Sequence, residues 1–300
     1  RARRQRHERF VQPRIAATTA GRDLRPVADR TSVIRNSDIL AFVPLAGPAP
    51  LLAGFLAHHR RRGVGHFLFA DLAADDASRA VLLDAGDCSI WHAADATGEA
   101  RHALNHLRAR FGQGRWCLSL TPDSLLVYPF CETRSLPDLV EFLGSEGRET
   151  LYAIHLDMYA PSAASASAAS TADPLAVSAL FDATGYVQRA DVAYGDTSVQ
   201  GGPLRRIASR EDPSQAPRLD AIPLVRWRKD YHYLEANRLL APKRLNRPHA
   251  RWHLSPTACL LRFGHPAVST GGNAVFDQSV AYRDTAQLVE LGLMCRGQWF

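Results

Sequence analysis

The sequence predicts an α/β fold: a mostly parallel central sheet flanked by helices, followed by a less regular C-terminal half. Three observations predict it. From Ile39 to Leu120, apolar runs of strand length alternate with amphipathic stretches of helix length. The runs are short and nearly continuous, as strands covered on both faces require. Each connection is long enough for a helical crossover, which makes successive strands parallel and the crossovers right-handed.

ILAFVPL (39–45) reads as the first strand, and Leu51 to Arg62 as a helix ending before Gly63. The uncharged run 39–57 is long enough to cross a bilayer, but Pro44, Pro48 and Pro50 each remove a backbone donor within it. Strand, turn and helix start is therefore the expectation, and the polar stretch ahead of it lacks the layout of a signal peptide. HFLFA (66–70), CSIW (88–91) and RWCLSL (115–120) follow as strands, with helices over Ala77–Ala85 and Glu99–Phe111 between them. Leu136–Gly147 reads as a helix and LYAIHLDMY (151–159) as a strand. The Ser/Ala-rich stretch near 161–172 is expected as a flexible surface insertion. FDATGY (181–186), VQGGPLRR (199–206) and IPLVRW (222–227) read as short strands and tight turns, and Val280–Cys295 has helical spacing. This divides the chain into a basic, disordered or peripheral segment (1–38), one domain (39–270) and a helical tail (271–300). Ligands of such sheets bind at the carboxyl ends of the strands, so the loops after Leu45, Ala70 and Leu120 are the places for a site.

The net charge of +6 is concentrated in residues 1–9, which carry five Arg against one Glu. The body is nearly balanced, and no nucleic-acid-binding motif accompanies the basic run, so a solvated tail is expected and no nucleic-acid partner. The five cysteines (Cys88, Cys117, Cys131, Cys259, Cys295) are an odd number without a CxxC pair. That argues against a disulfide framework or a cysteine zinc site and fits a reducing compartment. A cytoplasmic protein is expected, with a membrane-peripheral placement left open and no transmembrane segment.

A set of motifs in fixed order then narrows the reading: LAHHRRRGVGHFLFAD (56–71), CSIWH (88–92), GRWCLSLTPDSLLVYP (114–129), LDMY (156–159), DPL (173–175), FDATGY, VQGGPLRR, IPLVRW, RLN (244–246) and CLLRF (259–263). Together they resemble a bacterial branch of the family-2-like glycosyltransferases, over Ile39 to about Pro266. The resemblance implies a GT-A (Rossmann-like) fold, a nucleotide-sugar donor, a glycan acceptor, and Mn²⁺ or Mg²⁺ held by an Asp-x-Asp motif to offset charge on the departing diphosphate. The sequence departs from that family where the chemistry is expected. Ala46, Gly47 and Pro48 stand where relatives have Arg-Asn-Glu, and the metal motif reads Thr121, Pro122, Asp123, Ser124. Asp71 remains of the second-strand motif, but the polar positions after it are Leu72, Ala73 and Ala74. Glu235, Ala236 and Asn237 replace a Ser-x-His motif, and Arg262, Phe263 and Gly264 replace a late His-x-Lys. The resemblance therefore implies a nucleotide-sugar transferase scaffold that is weak or inactive, its status as an enzyme left open, with a divalent cation only if activity is retained. An active metal-independent transferase and a non-catalytic scaffold or glycan-binding module are the alternatives.

The candidate residues carry two readings each. Asp123 is the last candidate metal carboxylate or a turn residue beside Pro122. Asp71 is a nucleotide contact or a helix cap, and Asp75 and Asp76 suit a first helical turn. Gly201, Gly202 and Arg206 wrap a nucleotide-sugar or acceptor, or form a tight turn. His58, His59 and His66 read as packing, because the adjacent pair faces two ways and no Cys or acid completes a metal set. His155 reads as a satisfied core histidine. Arg262 is the candidate phosphate stabiliser, able to supply fixed charge where relatives use a cation.

Overall fold

The computed structural model describes residues 24–93, 100–162, 173–191, 196–229, 231–235, 238–240, 257–264, 268 and 275–296. The tail 1–23, most of the Ser/Ala-rich stretch, Ala236, Asn237 and the RLN motif lie outside them. The first strands follow the predicted alternation: β2 (Ile39–Leu45), helix α1 (Leu52–Arg62), β3 (Val64–Asp71), α2 (Asp76–Asp84), β4 (Cys88–Ala93), α3 (Ala100–Phe111) and β5 (Trp116–Ser119). β1 (Leu24–Ala28) precedes them, and β6 (Ser124–Val127), α4 (Leu136–Ser145), β7 (Thr150–Asp157), β11 (Asp220–Arg226) and β14 (Ala258–Arg262) complete the large sheet and its cover.

The nine strands lie in the order β1-β4-β3-β2-β5-β11-β7-β14-β6. β2, β3, β4, β5, β7 and β14 run one way and β1, β11 and β6 the other, so the sheet is mostly parallel with one reversed strand in its interior. Side chains alternate between its two faces. Ile39, Ala41, Val43 and Leu45 of β2 join the larger core with Phe55 and Leu56 of α1. Leu40 and Phe42 join a second core with Ala103, Leu104 and Leu107 of α3. No described helix is long and apolar enough to cross a membrane. The suspicious run 39–57 is instead a buried strand, a turn and part of α1.

Two prolines sit in strands where the ladder does not need their missing donor. β2 pairs β5 only from Leu40 to Phe42, so at Pro44 the β5 side of β2 is already unpartnered. Pro223 falls where the pairing of β11 with β7 shifts register between Ala221 and Leu224. Both irregularities open space beside the sheet.

Three expectations change. Residues 24–28, placed outside the domain, form the edge strand β1 against β4. The tail expected as helical divides into β15 (Ser279–Ala281), paired with β8 (Leu180–Asp182), and a short helix Thr285–Glu290 capped by Asp284. The VQGGPLRR segment, expected as short strand and tight turn, ends β10 (Asp196–Gln200) and continues into an irregular helical turn, Leu204–Ala208.

The histidine pair on α1 closes an edge. β6 ends the sheet, and its Leu126 turns both backbone groups toward α1: the His58 ring donates from Nε2 to the Leu126 carbonyl (2.9 Å), and the Leu126 N–H donates to His59 Nε2 (3.4 Å). Nδ1 of His59 donates to the Phe55 carbonyl at 2.8 Å. An open sheet edge is a pairing hazard, and these rings cover it. His66 is buried against the Ser89 hydroxyl, 2.8 Å away.

Candidate functional site

The chain leaves β2 toward β3 and β4 on one side, then returns to place β5 on the other. Strand order reverses there, and the crevice outside the carboxyl ends of β2 and β5 is where an open α/β sheet binds ligands. A cavity of about 610 Å³ occupies that crevice. Its walls come from β2 (Phe42, Pro44) and Ala46, from the loop after β3 (Leu72, Ala73), from α3 (Arg101, Leu104, Arg108), from the end of β5 (Ser119 to Thr121), and from Ser124, His155, Pro223 and Tyr233. The loops after Leu45, Ala70 and Leu120 thus meet at one place, as the sheet topology predicts.

The lining is mostly apolar, with two arginines, His155 and the hydroxyls of Ser119, Thr121 and Ser124, and no described lining residue is Asp or Glu. Arg108 is 3% exposed. Its guanidinium lies over Tyr233 (4.8 Å to the ring centre), Phe42 (5.3 Å) and Trp227 (5.7 Å). Its only hydrogen bond among the described residues is a long one, Nη1 to Asn105 Oδ1 at 3.5 Å, and Nε is buried without an acceptor. Burial pulls Arg108 down to about 10, which leaves it charged at neutral pH. The aromatic wall is held in place by α3. Asn105 donates to the Tyr233 carbonyl at 2.9 Å and accepts from its N–H at 3.0 Å, and Arg101 donates to the Leu234 carbonyl. The Tyr233 hydroxyl donates to the carbonyl of Ile222 (2.5 Å), within the register shift of β11.

His155 lines the same cavity. Its Nδ1 has no partner among the described residues, so it is not the satisfied core histidine expected. Burial and the nearby Arg262 charge hold the ring down to about 3, so it is neutral at physiological pH.

None of the predicted site residues lines this cavity. Asp71, at the end of β3, is buried and already engaged: it accepts from Ala74 N–H (2.9 Å) and pairs with Arg79 Nε (2.9 Å). The cap of α2 is Asp75, which accepts from Ser78 N–H at 3.0 Å. Asp123 sits between the lining residues Thr121 and Ser124, accepting from the Ser124 hydroxyl at 3.2 Å. Its carbonyl accepts from Phe263 N–H (2.9 Å), which sets it beside the end of β14, but the Arg262 side chain turns to Asp157 (Nε to Oδ1, 2.7 Å). A carboxylate 1% exposed thus balances the candidate phosphate stabiliser.

Gly201, Gly202 and Arg206 belong to another corner. A Cβ on Gly201 would stand 2.6 Å from the Tyr186 ring, and Gly202 has φ +63°, so close packing and a left-handed turn account for both glycines. Arg206 grips the fully buried Asp182 with two bonds, Nη2 to Oδ1 (2.9 Å) and Nε to Oδ2 (3.1 Å). Asp182 also accepts from the Tyr159 hydroxyl at 2.6 Å. Gly202 and Arg206 line a recess of about 260 Å³ with Arg205, Arg210, Thr184, Gly185 and Gln278.

A divalent cation does not fit these donors. Hard cations of this kind take several oxygen ligands, usually including more than one carboxylate. Asp123 is a single carboxylate, Asp71 is occupied by Arg79, and the described residues contain no group of three His, Cys, Asp or Glu able to hold a metal ion.

No protein-family model matches the chain, and no curated protein does. Among solved structures the chain is similar to a Bacillus anthracis protein, provisionally described as a glucose-1-phosphate thymidylyltransferase and crystallised with sucrose. The identity is 11% and the TM-score 0.28, over 40% of this chain and 55% of that one. The chain thus spans about half the length of that structure, and a likeness of this size bears no functional weight. The fold rests on the sheet order and its helical cover.

Proposed function

We propose that this chain is a nucleotide-sugar-type domain of the glycosyltransferase lineage its motifs resemble, one that retains a ligand cavity and has lost metal-dependent sugar transfer. The observation that carries the reading is a cavity at the sheet's switch point, lined by two arginines, apolar side chains and a few neutral polar ones, without a described carboxylate. Ligands of this fold class bind in that crevice, and a lining without described carboxylates has nothing to hold the divalent cation that metal-dependent transfer uses to offset charge on a leaving diphosphate. Binding without transfer suits a module that presents or senses a sugar nucleotide in a glycan-assembly complex.

A second reading, a metal-independent transferase using Asp123 and Arg262, has one observation on its side: Arg262 Nη2 is buried without an acceptor. The ion pair with Asp157 weighs against it, since that charge is already balanced. Calorimetry with UDP- and GDP-sugars, in Mn²⁺ and in chelator, separates the readings. The first predicts binding that is the same in both and no sugar release. Binding that requires Mn²⁺ would overturn it. Binding in chelator that Arg262→Ala abolishes would favour the second.

A further inference from the structure

The cavity contains a buried positive charge that no described residue neutralises. Arg108 offers five N–H donors, of which the described residues take one, at 3.5 Å, and its Nε faces no acceptor. The acceptor of that bond, Asn105 Oδ1, already receives the Tyr233 N–H at 3.0 Å. Three aromatic faces soften the cost of burying the cation but supply no anion. Arg79, Arg206 and Arg262, by contrast, each have a carboxylate within 2.9 Å. Buried charges are costly unless paired, and Arg108 stands in the wall of the cavity of about 610 Å³ at the switch point.

We infer that Arg108 is the anchor for an anionic group of the cavity's ligand, taking the phosphate of a nucleotide in place of a metal ion. This rests on the nucleotide-sugar reading of the cavity. A guanidinium can donate two parallel bonds to phosphate oxygens, and here it does so from a low-dielectric wall. Phe42, Leu72 and Leu104 leave an apolar surface beside it for the uncharged part of the ligand.

The test is calorimetric titration, in chelator, of uridine, UDP, guanosine, GDP and inorganic pyrophosphate into the full chain and into Arg108→Met and Arg108→Lys. The wild type is expected to prefer each diphosphate to its nucleoside by about tenfold or more, a preference that Arg108→Met abolishes while leaving nucleoside affinity in place. Arg108→Lys, which keeps a charge but not the fork, is expected to lose most of the preference. It is the variant to read should the methionine chain fail to fold by circular dichroism. Nucleotide binding whose diphosphate preference is the same in a folded variant overturns the role of Arg108 and leaves the nucleotide reading standing. Pyrophosphate binding lost in Arg108→Met, with no nucleoside or nucleotide preference, upholds the anion anchor and overturns the nucleotide reading. Binding of none of these ligands overturns both.

Discussion

Two corners of one sheet treat buried charge in opposite ways. At the carboxyl ends of β7 and β14 and the neighbouring β8, Asp157 meets Arg262 and Asp182 meets Arg206, and Tyr159 completes the second pair. At the carboxyl ends of β2 and β5, Arg108 is enclosed by rings and has no described carboxylate. The first corner is closed chemistry, its charges spent on holding strands together. The second is open chemistry, a charge that no described residue balances. An arginine singled out by a motif resemblance is therefore a poorer guide than an arginine whose charge the described residues leave unanswered.

The comparison breaks most visibly at Asp182. Asp182→Ala removes the carboxylate that Arg206 grips and an acceptor of the Tyr159 hydroxyl, and is expected to cost about 3–5 kcal/mol in urea unfolding. A loss under about 1 kcal/mol would show that this corner is not held by its charges. Arg262→Ala leaves Asp157 buried and unpaired, for an expected loss of about 3 kcal/mol, with nucleotide affinity in chelator unchanged. A stable Arg262→Ala chain with impaired binding would move the functional charge to the wrong corner for our reading.

How far the sequence reaches differs between the same two corners. β2 to β5 were legible because their apolar runs are continuous and their spacing fits helical crossovers. β1 was not: LRPVA is half-buried at its ends and exposed between, so an edge strand leaves almost no hydrophobic signal. The loops that form the cavity followed from topology, but its chemistry did not. Asp157 and Arg262 are 105 residues apart, and nothing local in LDMY or CLLRF tells that the two will be register neighbours on β7 and β14. Arg108 did leave a trace. It follows Leu107 and lies four residues after Leu104, inside the apolar stripe of α3, where a charge is out of place.

The histidines sharpen the comparison by pH. Burial holds His58 down to about 4, His155 to about 3 and His59 well below 6.5. Each stays neutral in the fold while its unfolded counterpart protonates near 6.5. Stability is therefore full above pH 6.5 and falls as pH drops toward the folded values, by at most about 1.4 kcal/mol per pH unit for each ring. Urea unfolding at pH 7.5, 5.5 and 4.5 should show that slope. His58→Ala should flatten it by one ring's share and cost about 1–3 kcal/mol at pH 7.5, because the Leu126 carbonyl loses its donor. A slope unchanged in His58→Ala would mean that this ring takes up its proton without opening the edge of β6.

The smallest expected effect is the most discriminating. Without ligand, Arg108→Met should change stability by no more than about 1 kcal/mol in either direction. The variant gives up three cation–π contacts, each of modest worth, but also removes the cost of keeping a guanidinium out of water without a counter-charge. Methionine keeps an apolar stem of similar length against Phe42 and Trp227, so packing is largely preserved. An arginine that belongs to the fold, as Arg206 does, would cost several times more to remove. A loss above about 3 kcal/mol in the free protein would place Arg108 with the closed corner, as a structural cation balanced by its rings, and would take from the cavity the charge on which its ligand depends.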